Sequence, residues 1–262
     1  MRLTLAPLTN FDIGLVAAVL VSFAAYRARA LDGSGALAAF FVGTATFGGL
    51  DLAGAAILLA FFLSSVALSR VGRAVKRERL RDIGKTGARD AAQVIANGGV
   101  AAVCAVLVLR GDTRYAAAFA GAFAAATADT WGTEIGALVG ATPRSILTWR
   151  PVAIGLSGGV TLAGTLAEFA GALLIGAIAF HFDLPFWPIV AGGVTGALVD
   201  SVLGASLQSL RWCPQCRRPC ELEPHVCGAN TTPLRGLSWI GNDAVNLAAT
   251  ACGAAVAFAL AR

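Results

Sequence analysis

The chain has 262 residues, of which 57% are hydrophobic and only 13% are charged. Soluble domains carry about 25% charged residues, so this composition excludes an ordinary soluble fold. It predicts an all-α, polytopic membrane bundle in which residues 1–262 form a single transmembrane domain. The net charge of +5 does not indicate nucleic-acid binding, because the basic residues concentrate in loops between apolar segments.

Apolar runs of about 17–25 residues are long enough to cross a bilayer as helices. They predict about eight transmembrane helices, at residues 13–26, 36–49, 52–69, 91–109, 115–140, 158–180, 187–207 and 242–260. The second and third runs meet at Gly48-Gly49-Leu50-Asp51, which is a turn signal. One long helix over 36–69 is the alternative. No Pro/Ser-rich linker divides the chain.

Lys and Arg are unevenly distributed over the predicted loops. The segments 27–35, 70–90, 141–157 and 208–241 alternate onto one side and hold 16 of the 20 Lys and Arg. Because basic loops stay in the cytoplasm, the basic loop 70–90 and the Cys-rich loop 208–241 are predicted to be cytoplasmic. The expected location is the bacterial inner membrane. The basic run from residue 70 to 81 suits an anchor for anionic lipid headgroups better than nucleotide steering.

Acidic and amide side chains interrupt five of the apolar segments. An ionisable group at the bilayer centre costs roughly 2.5–3.5 kcal/mol, so these side chains indicate a polar site within the membrane protein. They are Asp90, Gln93, Asn97, Asp129, Glu134, Glu168, Asp200, Asn242, Asp243 and Asn246. The alternating helix directions place them toward the cytoplasmic half, and we therefore predict an active site that faces the cytoplasm.

Cationic and polar side chains meet at the start of the fourth span. Asp90, Gln93 and Asn97 fall on one helical face, because residues three and four apart are neighbours on a helix. Lys85 and Arg89 precede them directly. A cationic pair beside carboxamides suits a phosphate-bearing ligand. The alternative is a helix start capped by Asp90, with the two amides bonding a neighbouring helix.

Carboxylates on the fifth and seventh spans suit a magnesium site. Asp129, Glu134 and Asp200 are the candidate ligands, because Mg²⁺ is typically held by one or two carboxylates together with substrate phosphates. The alternative for these acids is a proton relay or an internal ion pair with an Arg.

The sixth span begins with a second candidate anion site. Ser157, Gly158 and Gly159 could present backbone N–H groups at a helix N-terminus, and Thr161 and Glu168 extend a polar stripe from there. Close helix packing explains the glycines equally well.

The eighth span opens with Asn242 and Asp243. The alternative explanation is that one of them caps the helix, which leaves Asn246 unexplained.

Four cysteines lie close together in the Cys-rich loop. Cys213 and Cys216 form a Cys-x-x-Cys pair, followed by Cys220, His225 and Cys227. Reducing conditions disfavour disulfides, and thiolates at such spacing suit tetrahedral Zn²⁺. We predict a structural Zn²⁺ site formed by the four cysteines.

The motifs, taken in order, resemble the transmembrane protein 19 family, which includes the phytyl phosphate kinases. The matching pieces are Asp32 to Gly35 with Ser34, Arg89-Asp90 through Gly99, Ala128 to Glu134, Ser157 to Thr161, Asp200-Ser201 with Gly204, Cys213 with Cys216, and Asn242-Asp243 with Asn246. They cover nearly the whole chain. The resemblance implies CTP-dependent phosphorylation of an isoprenyl monophosphate to its diphosphate.

We expect phosphoryl transfer that depends on positioning and charge neutralisation more than on covalent help from the protein. In this hypothesis Lys85 and Arg89 neutralise the transferring group, while Asp32, Ser34 and Gln93 contact substrate. The asparagines and Asp243 orient the acceptor or complete the Mg²⁺ shell. The alternatives are a CTP-dependent cytidylyltransferase acting on a lipid phosphate and a proton- or ion-coupled transporter. The prenyl chain, the nucleotide base and the oligomeric state stay open.

Overall fold

The computed structural model describes residues 10–80 and 87–262. Its helices are α1 (Asn10–Arg27), α2 (Gly33–Arg70), α3 (Arg73–Arg79), α4 (Ala91–Val108), α5 (Arg114–Val139), α6 (Leu162–His181), α7 (Phe186–Ser206) and α8 (Asn242–Leu260). Among the described residues, five helices are long and apolar enough to cross a membrane, namely α2, α4, α6, α7 and α8. The predicted helical membrane bundle is confirmed.

Helix α2 is two helices joined at a sharp bend. Its 38 residues would extend about 57 Å if straight, almost twice the roughly 30 Å thickness of the hydrocarbon core. Asp51 interrupts it with φ 49° and ψ −132°. At the far end Arg70 donates to the Ala28 carbonyl at 3.2 Å, so both ends of α2 lie together. The prediction of two spans meeting at the glycine pair agrees with this bend.

Helix α5 occupies the centre of the bundle. Its first half is rich in alanine and almost completely buried, with Phe119 and Phe123 as its large buried side chains. It contacts α2, α4, α6, α7 and α8. A helix buried on every face needs small residues that let neighbouring backbones approach, which explains why its apolar pattern shows no single buried stripe.

A close contact at Gly253 of α8 joins that helix to α5 and α7. A Cβ on Gly253 would lie 2.7 Å from the Cβ of Ala125, 2.8 Å from the Gly121 carbonyl and 3.1 Å from the Gly192 carbonyl. Backbone atoms cannot move aside as a flexible side chain can. Three helices therefore meet at a position that only glycine fits.

Because of this contact, we expect a side chain at position 253 to destabilise the protein. Overpacking a core typically costs about 1–3 kcal/mol, so Gly253→Ala should lower the thermal unfolding midpoint in detergent. Gly33→Ala is the control, because no described atom lies within 4 Å of a Cβ built there. Equal midpoints for the two variants would contradict the packing.

Five short strands supplement the helices, and they were not predicted. β1 (Arg144–Ser145) pairs with β2 (Gly159–Val160). β3 (Leu210–Cys213), β4 (Arg218–Cys220) and β5 (Thr232–Arg235) form an antiparallel sheet in the order β4-β3-β5. Because β2 and the cap Thr161 precede α6, that helix begins at Leu162 and not at the predicted residue 158. Helix α3 similarly lies within the predicted loop 70–90.

Four connecting segments meet at one end of the bundle, which we call the basic end: 28–32, 71–80 with 87–90, 140–161 and 207–241. Hydrogen bonds join the first two at Asp32 and Arg89, and join the last two at Ser157 and Glu221. Arg79 donates to the carbonyls of Ala137 and Leu138 at the end of α5.

Candidate functional site

The N-termini of α2 and α4 lie side by side at the basic end. Asp32 accepts a hydrogen bond from the Gly35 amide at 2.8 Å, and Ser34 donates to the same carboxylate. Asp90 and Gln93 form a reciprocal capping box, at 3.0 and 3.3 Å. Asp32 and Asp90 thus cap α2 and α4, and for Asp90 this agrees with the alternative interpretation of the sequence.

Ser34 and Arg89 fasten the two helix starts to each other. The Ala91 amide donates to the Ser34 hydroxyl at 3.1 Å. The Asp32 amide donates to the Arg89 carbonyl, and the Arg89 amide donates to the Ala30 carbonyl, both at 3.0 Å. A helix N-terminus carries a partial positive charge, which the capping carboxylates of Asp32 and Asp90 offset, so the half-buried Arg89 supplies positive charge at this corner. Lys85 lies outside the described residues.

An apolar cavity extends from Arg89 into the bundle. It is bounded by α1, both halves of α2, α4 and Phe123 of α5, and contains about 940 Å³ of space, its open side included. Its polar lining at the basic end comes from Arg89, Gln93 and Asn97. Asn97 donates to the Gln93 carbonyl at 2.9 Å, so its side-chain oxygen is directed away from that bond. The cavity combines an apolar body with a cationic, hydrogen-bonding end.

Three carboxylates from different helices lie together deeper in the bundle: Asp129 of α5, Glu168 of α6 and Asp200 of α7. The Asp129 and Asp200 carboxyl groups are hydrogen-bonded to each other, and Glu168 interacts electrostatically with both. Gly132 permits this approach, because a Cβ there would lie 2.6 Å from Cγ of Glu168. Two carboxyl groups in contact must share a proton or a cation, since like charges so close cannot both persist.

One atom of this trio has no hydrogen-bond partner. Oδ2 of Asp200 is buried and accepts no hydrogen bond from the described residues. Within the same residues, the three carboxylates do not form a set whose ligand atoms all lie within 4.8 Å of one another. Two of them, Asp129 and Asp200, could hold a Mg²⁺ ion whose remaining ligands come from outside the protein, because Mg²⁺ is typically held by one or two carboxylates.

Asn246 lies near the same depth on α8. Thr250, one turn further along, donates to the Ala96 carbonyl of α4 at 3.0 Å, and this contact aligns α8 with α4. Asn246 is buried, whereas Asn242 is exposed and Asp243 half-buried at the helix start. Gly241 is the N-cap residue and makes no side-chain cap. The N-cap residue is therefore Gly241, and not Asn242 or Asp243 as the alternative interpretation had it.

Glu134 is not placed as a magnesium ligand. Its carboxylate forms an ion pair with Lys76 of α3, and the Lys76 side chain is only 5% exposed. Glu134 also interacts electrostatically with Arg89. The predicted metal role is corrected in favour of the ion-pair alternative, with Lys as the cation where an Arg was expected. Sequence reasoning missed Lys76 because it lies in a run of basic residues that suited a lipid anchor.

The anion site predicted at Ser157, Gly158 and Gly159 is also corrected. A carboxylate of the protein itself, that of Glu221, binds to Ser157. Glu221 accepts hydrogen bonds from the Ser157 amide at 2.9 Å and from its hydroxyl at 3.0 Å. Gln208 donates to both Ser157 and Glu221. The Gly159 amide donates to the Leu156 carbonyl, and Gly158 packs against Ala205 of α7. Thr161 caps α6 through the Gly164 amide.

Glu221 of the Cys-rich segment lies within electrostatic range of the acidic trio. It interacts electrostatically with Asp200. Burial raises the pKa of Glu221, while the hydrogen bonds from Ser157 oppose that rise. The sequence offered only one signal for Glu221, its position directly after Cys220. A single Glu in a loop does not indicate whether its side chain is buried. The trio therefore has a fourth acid at its basic-end side.

The Cys-rich segment brings three cysteines and a histidine together. Ligand atoms of Cys213, Cys216, His225 and Cys227 all lie within 4.8 Å of one another. Cys220 is not among them; its thiol is buried and directed to the Leu222 carbonyl at 3.9 Å. The predicted four-cysteine set is corrected to three cysteines and His225. The hydrogen bond between His225 and Cys227 lowers the pKa of Cys227 to about 6.

Comparisons with known proteins agree with this architecture. Protein PGR of Arabidopsis thaliana is 31% identical over 92% of each chain. An uncharacterized membrane protein of Methanocaldococcus jannaschii is 31% identical over 77% of this chain and 85% of its own. An uncharacterized membrane protein of Synechocystis is 26% identical over 74% and 68%. No solved structure matches the chain.

Residues 16–254 match the integral membrane protein family DUF92. The match spans nearly all of the described bundle, from α1 to α8, and it confirms the resemblance to the transmembrane protein 19 family. The chain is therefore a member of this multi-pass integral membrane protein family.

Proposed function

We propose that the protein is a membrane-embedded kinase that transfers a phosphoryl group from CTP, or another nucleoside triphosphate, to an isoprenyl monophosphate. The observation that carries the proposal is the presence in one bundle of an apolar cavity with Arg89 at one end and of a trio of half-buried carboxylates. A prenyl monophosphate has an apolar chain and an anionic head, which match the cavity and Arg89. The carboxylates suit the magnesium complex of a nucleotide.

In this proposal an acceptor phosphate oxygen attacks the γ-phosphorus, and the bond from that phosphorus to the β-bridging oxygen breaks. CDP leaves with the electron pair, and a prenyl diphosphate forms. The acceptor is already an anion, so the protein needs no strong general base. Arg89 stabilises negative charge on the phosphates.

The acidic trio would position the magnesium ion of the nucleotide. Asp129 and Asp200 would hold Mg²⁺, which when bound neutralises charge on the nucleotide phosphates. Glu168 packs over Gly132 and keeps the two aspartates in place. Asn97 and Asn246 orient the acceptor by hydrogen bonding. Because the basic residues concentrate at this end, we place the site on the cytoplasmic side of the membrane.

The experiment that tests the proposal is an assay of purified protein in detergent. Protein is incubated with Mg²⁺, CTP labelled in the γ-phosphate and prenyl monophosphates of increasing chain length. Labelled prenyl diphosphate together with CDP is the expected product. If the products are instead a CDP-lipid and pyrophosphate, the protein is a cytidylyltransferase and not a kinase. Absence of any nucleotide-dependent product with every acceptor and nucleotide would refute the enzymatic proposal.

The cavity makes a separate prediction about chain length. Ala39 lines the cavity on α2, so Ala39→Phe should shorten the space available to the chain. Excluding two methylenes from burial costs about 1.6 kcal/mol, or about 15-fold in kcat/KM for a long prenyl acceptor. A five-carbon acceptor should be affected much less.

The control for this variant is Leu37→Phe, because Leu37 is 60% exposed on the outer face of the same helix. It should leave the chain-length profile unchanged. An equal effect of Ala39→Phe on short and long acceptors would show that the chain binds elsewhere.

A further inference from the structure

The Cys-rich segment carries a set of side chains with the geometry of a metal site. The sulfurs of Cys213 and Cys227 are 3.6 Å apart, and the His225 Nδ1 lies 3.1 Å from the sulfur of Cys227 and 3.7 Å from that of Cys216. The Cys216 amide donates to the Cys213 sulfur at 3.4 Å. That last bond is a common feature of a Cys-x-x-Cys turn around a metal.

These separations match a tetrahedral zinc shell. With Zn–S distances of about 2.3 Å and Zn–N distances of about 2.0–2.1 Å, ligand sulfurs lie about 3.8 Å apart, and a sulfur and a nitrogen about 3.6 Å apart. The cysteines are free thiols, and 3.6 Å between sulfurs is far beyond a disulfide length of about 2.05 Å. Oxidative pairing therefore does not explain the cluster.

We infer that Cys213, Cys216, Nδ1 of His225 and Cys227 bind one Zn²⁺ ion, and that this ion holds the Cys-rich segment closed over the acidic trio. This inference goes beyond the proposed kinase activity and does not depend on it. The segment has few buried side chains of its own, and small units of this kind commonly need a metal or a disulfide.

Glu221 and Gln208 attach the Cys-rich segment to Ser157. Glu221 lies between Cys216 and His225 in the chain, and its carboxylate binds both the amide and the hydroxyl of Ser157. Gln208, just before β3, donates to the same two residues. Fixing Cys216 and His225 on one ion therefore fixes Glu221 against Ser157. Loss of the ion frees the segment that covers this side of the trio.

The test begins with metal content. Purified wild-type protein, saturated with Zn²⁺ and washed, should contain one zinc per chain by elemental analysis, and Co²⁺ should give the visible absorption of a tetrahedral thiolate site. Cys216→Ser and His225→Ala should each lose this binding. Cys220→Ser is the matched control within the same segment and should keep it, as should Cys252→Ser in α8.

Two results would overturn the ligand assignment. Wild-type protein that binds less than about 0.1 zinc per chain under these conditions would refute the site. Loss of zinc in Cys220→Ser with retention in His225→Ala would replace it with a four-cysteine set. Because the first measurement uses wild-type protein without any substitution, misfolding of a variant cannot obscure that outcome.

Limited proteolysis tests the closure. Trypsin cleavage after Arg217, which is exposed on the Cys-rich segment, should become at least tenfold faster when a chelator removes the ion from wild-type protein. Re-addition of Zn²⁺ should restore protection. Cleavage after Arg110, an exposed residue just beyond α4 that is followed by Gly111, is the internal control. Equal cleavage at Arg217 with and without the ion would show that zinc does not hold the segment closed.

Discussion

Asp129→Asn is expected to lower phosphoryl transfer to a prenyl monophosphate by about 10²–10³-fold in kcat, the usual loss when one preorganised stabiliser of transition-state charge is removed. Asp129 belongs to the carboxyl pair on α5 and α7, and an amide is a weaker ligand for Mg²⁺ than a carboxylate. Asp200→Asn should have a loss of similar size. Initial rates at saturating CTP and Mg²⁺ measure both effects.

Both aspartates are proposed to act on one ion, so their effects should not add. Residues that act as a unit show strongly non-additive losses, and the double variant should be only slightly worse than either single variant. Asp112→Asn is the control, because Asp112 pairs with Arg114 at the opposite end of α5. Wild-type turnover by Asp129→Asn would exclude Asp129 as a metal ligand.

Glu134→Gln is expected to destabilise the protein by about 3–5 kcal/mol, because removing one partner of a buried ion pair leaves the other charge uncompensated. The partner is Lys76, which is only 4% exposed. The free energy of unfolding in mixed detergent, or the thermal midpoint, measures the change. The same substitution should leave the Mg²⁺ concentration needed for half-maximal activity unaltered.

A compensating variant separates the ion pair from a metal role. Lys76→Met combined with Glu134→Leu removes both charges and should recover most of the lost stability, since apolar replacement of a buried pair is often neutral. Unchanged stability in Glu134→Gln, together with a large rise in the Mg²⁺ requirement, would restore Glu134 as a magnesium ligand and contradict the ion-pair assignment.

The span pattern was predictable from sequence because lipid imposes a simple length rule on apolar helices. All eight predicted spans coincide with helical segments, α2 supplying two of them through its bend at Asp51. The presence of Asp129, Asp200 and Glu168 in one site was also accessible, because each is expensive to bury alone.

The remaining features depend on tertiary contacts that local patterns do not encode. Lys76 looked like one of many surface cations, and only the packing of α3 against α5 pairs it with Glu134. Asp90 and Gln93 suited a ligand site, but local hydrogen bonding to the backbone competes for such residues at every helix start. Glu221 meets Ser157 across 64 residues of sequence, and no spacing rule reports that distance.

The central claim is that the carboxylates of Asp129 and Asp200 hold the divalent cation of the nucleotide complex. The most direct measurement is the anomalous-scattering signal of Mn²⁺ in crystals of the protein grown with Mn²⁺ and a non-hydrolysable CTP analogue. We predict a peak between these two carboxylates, lost in Asp129→Asn. A peak at Glu134, or a fully ordered nucleotide with no Mn²⁺ beside either aspartate, would contradict the claim.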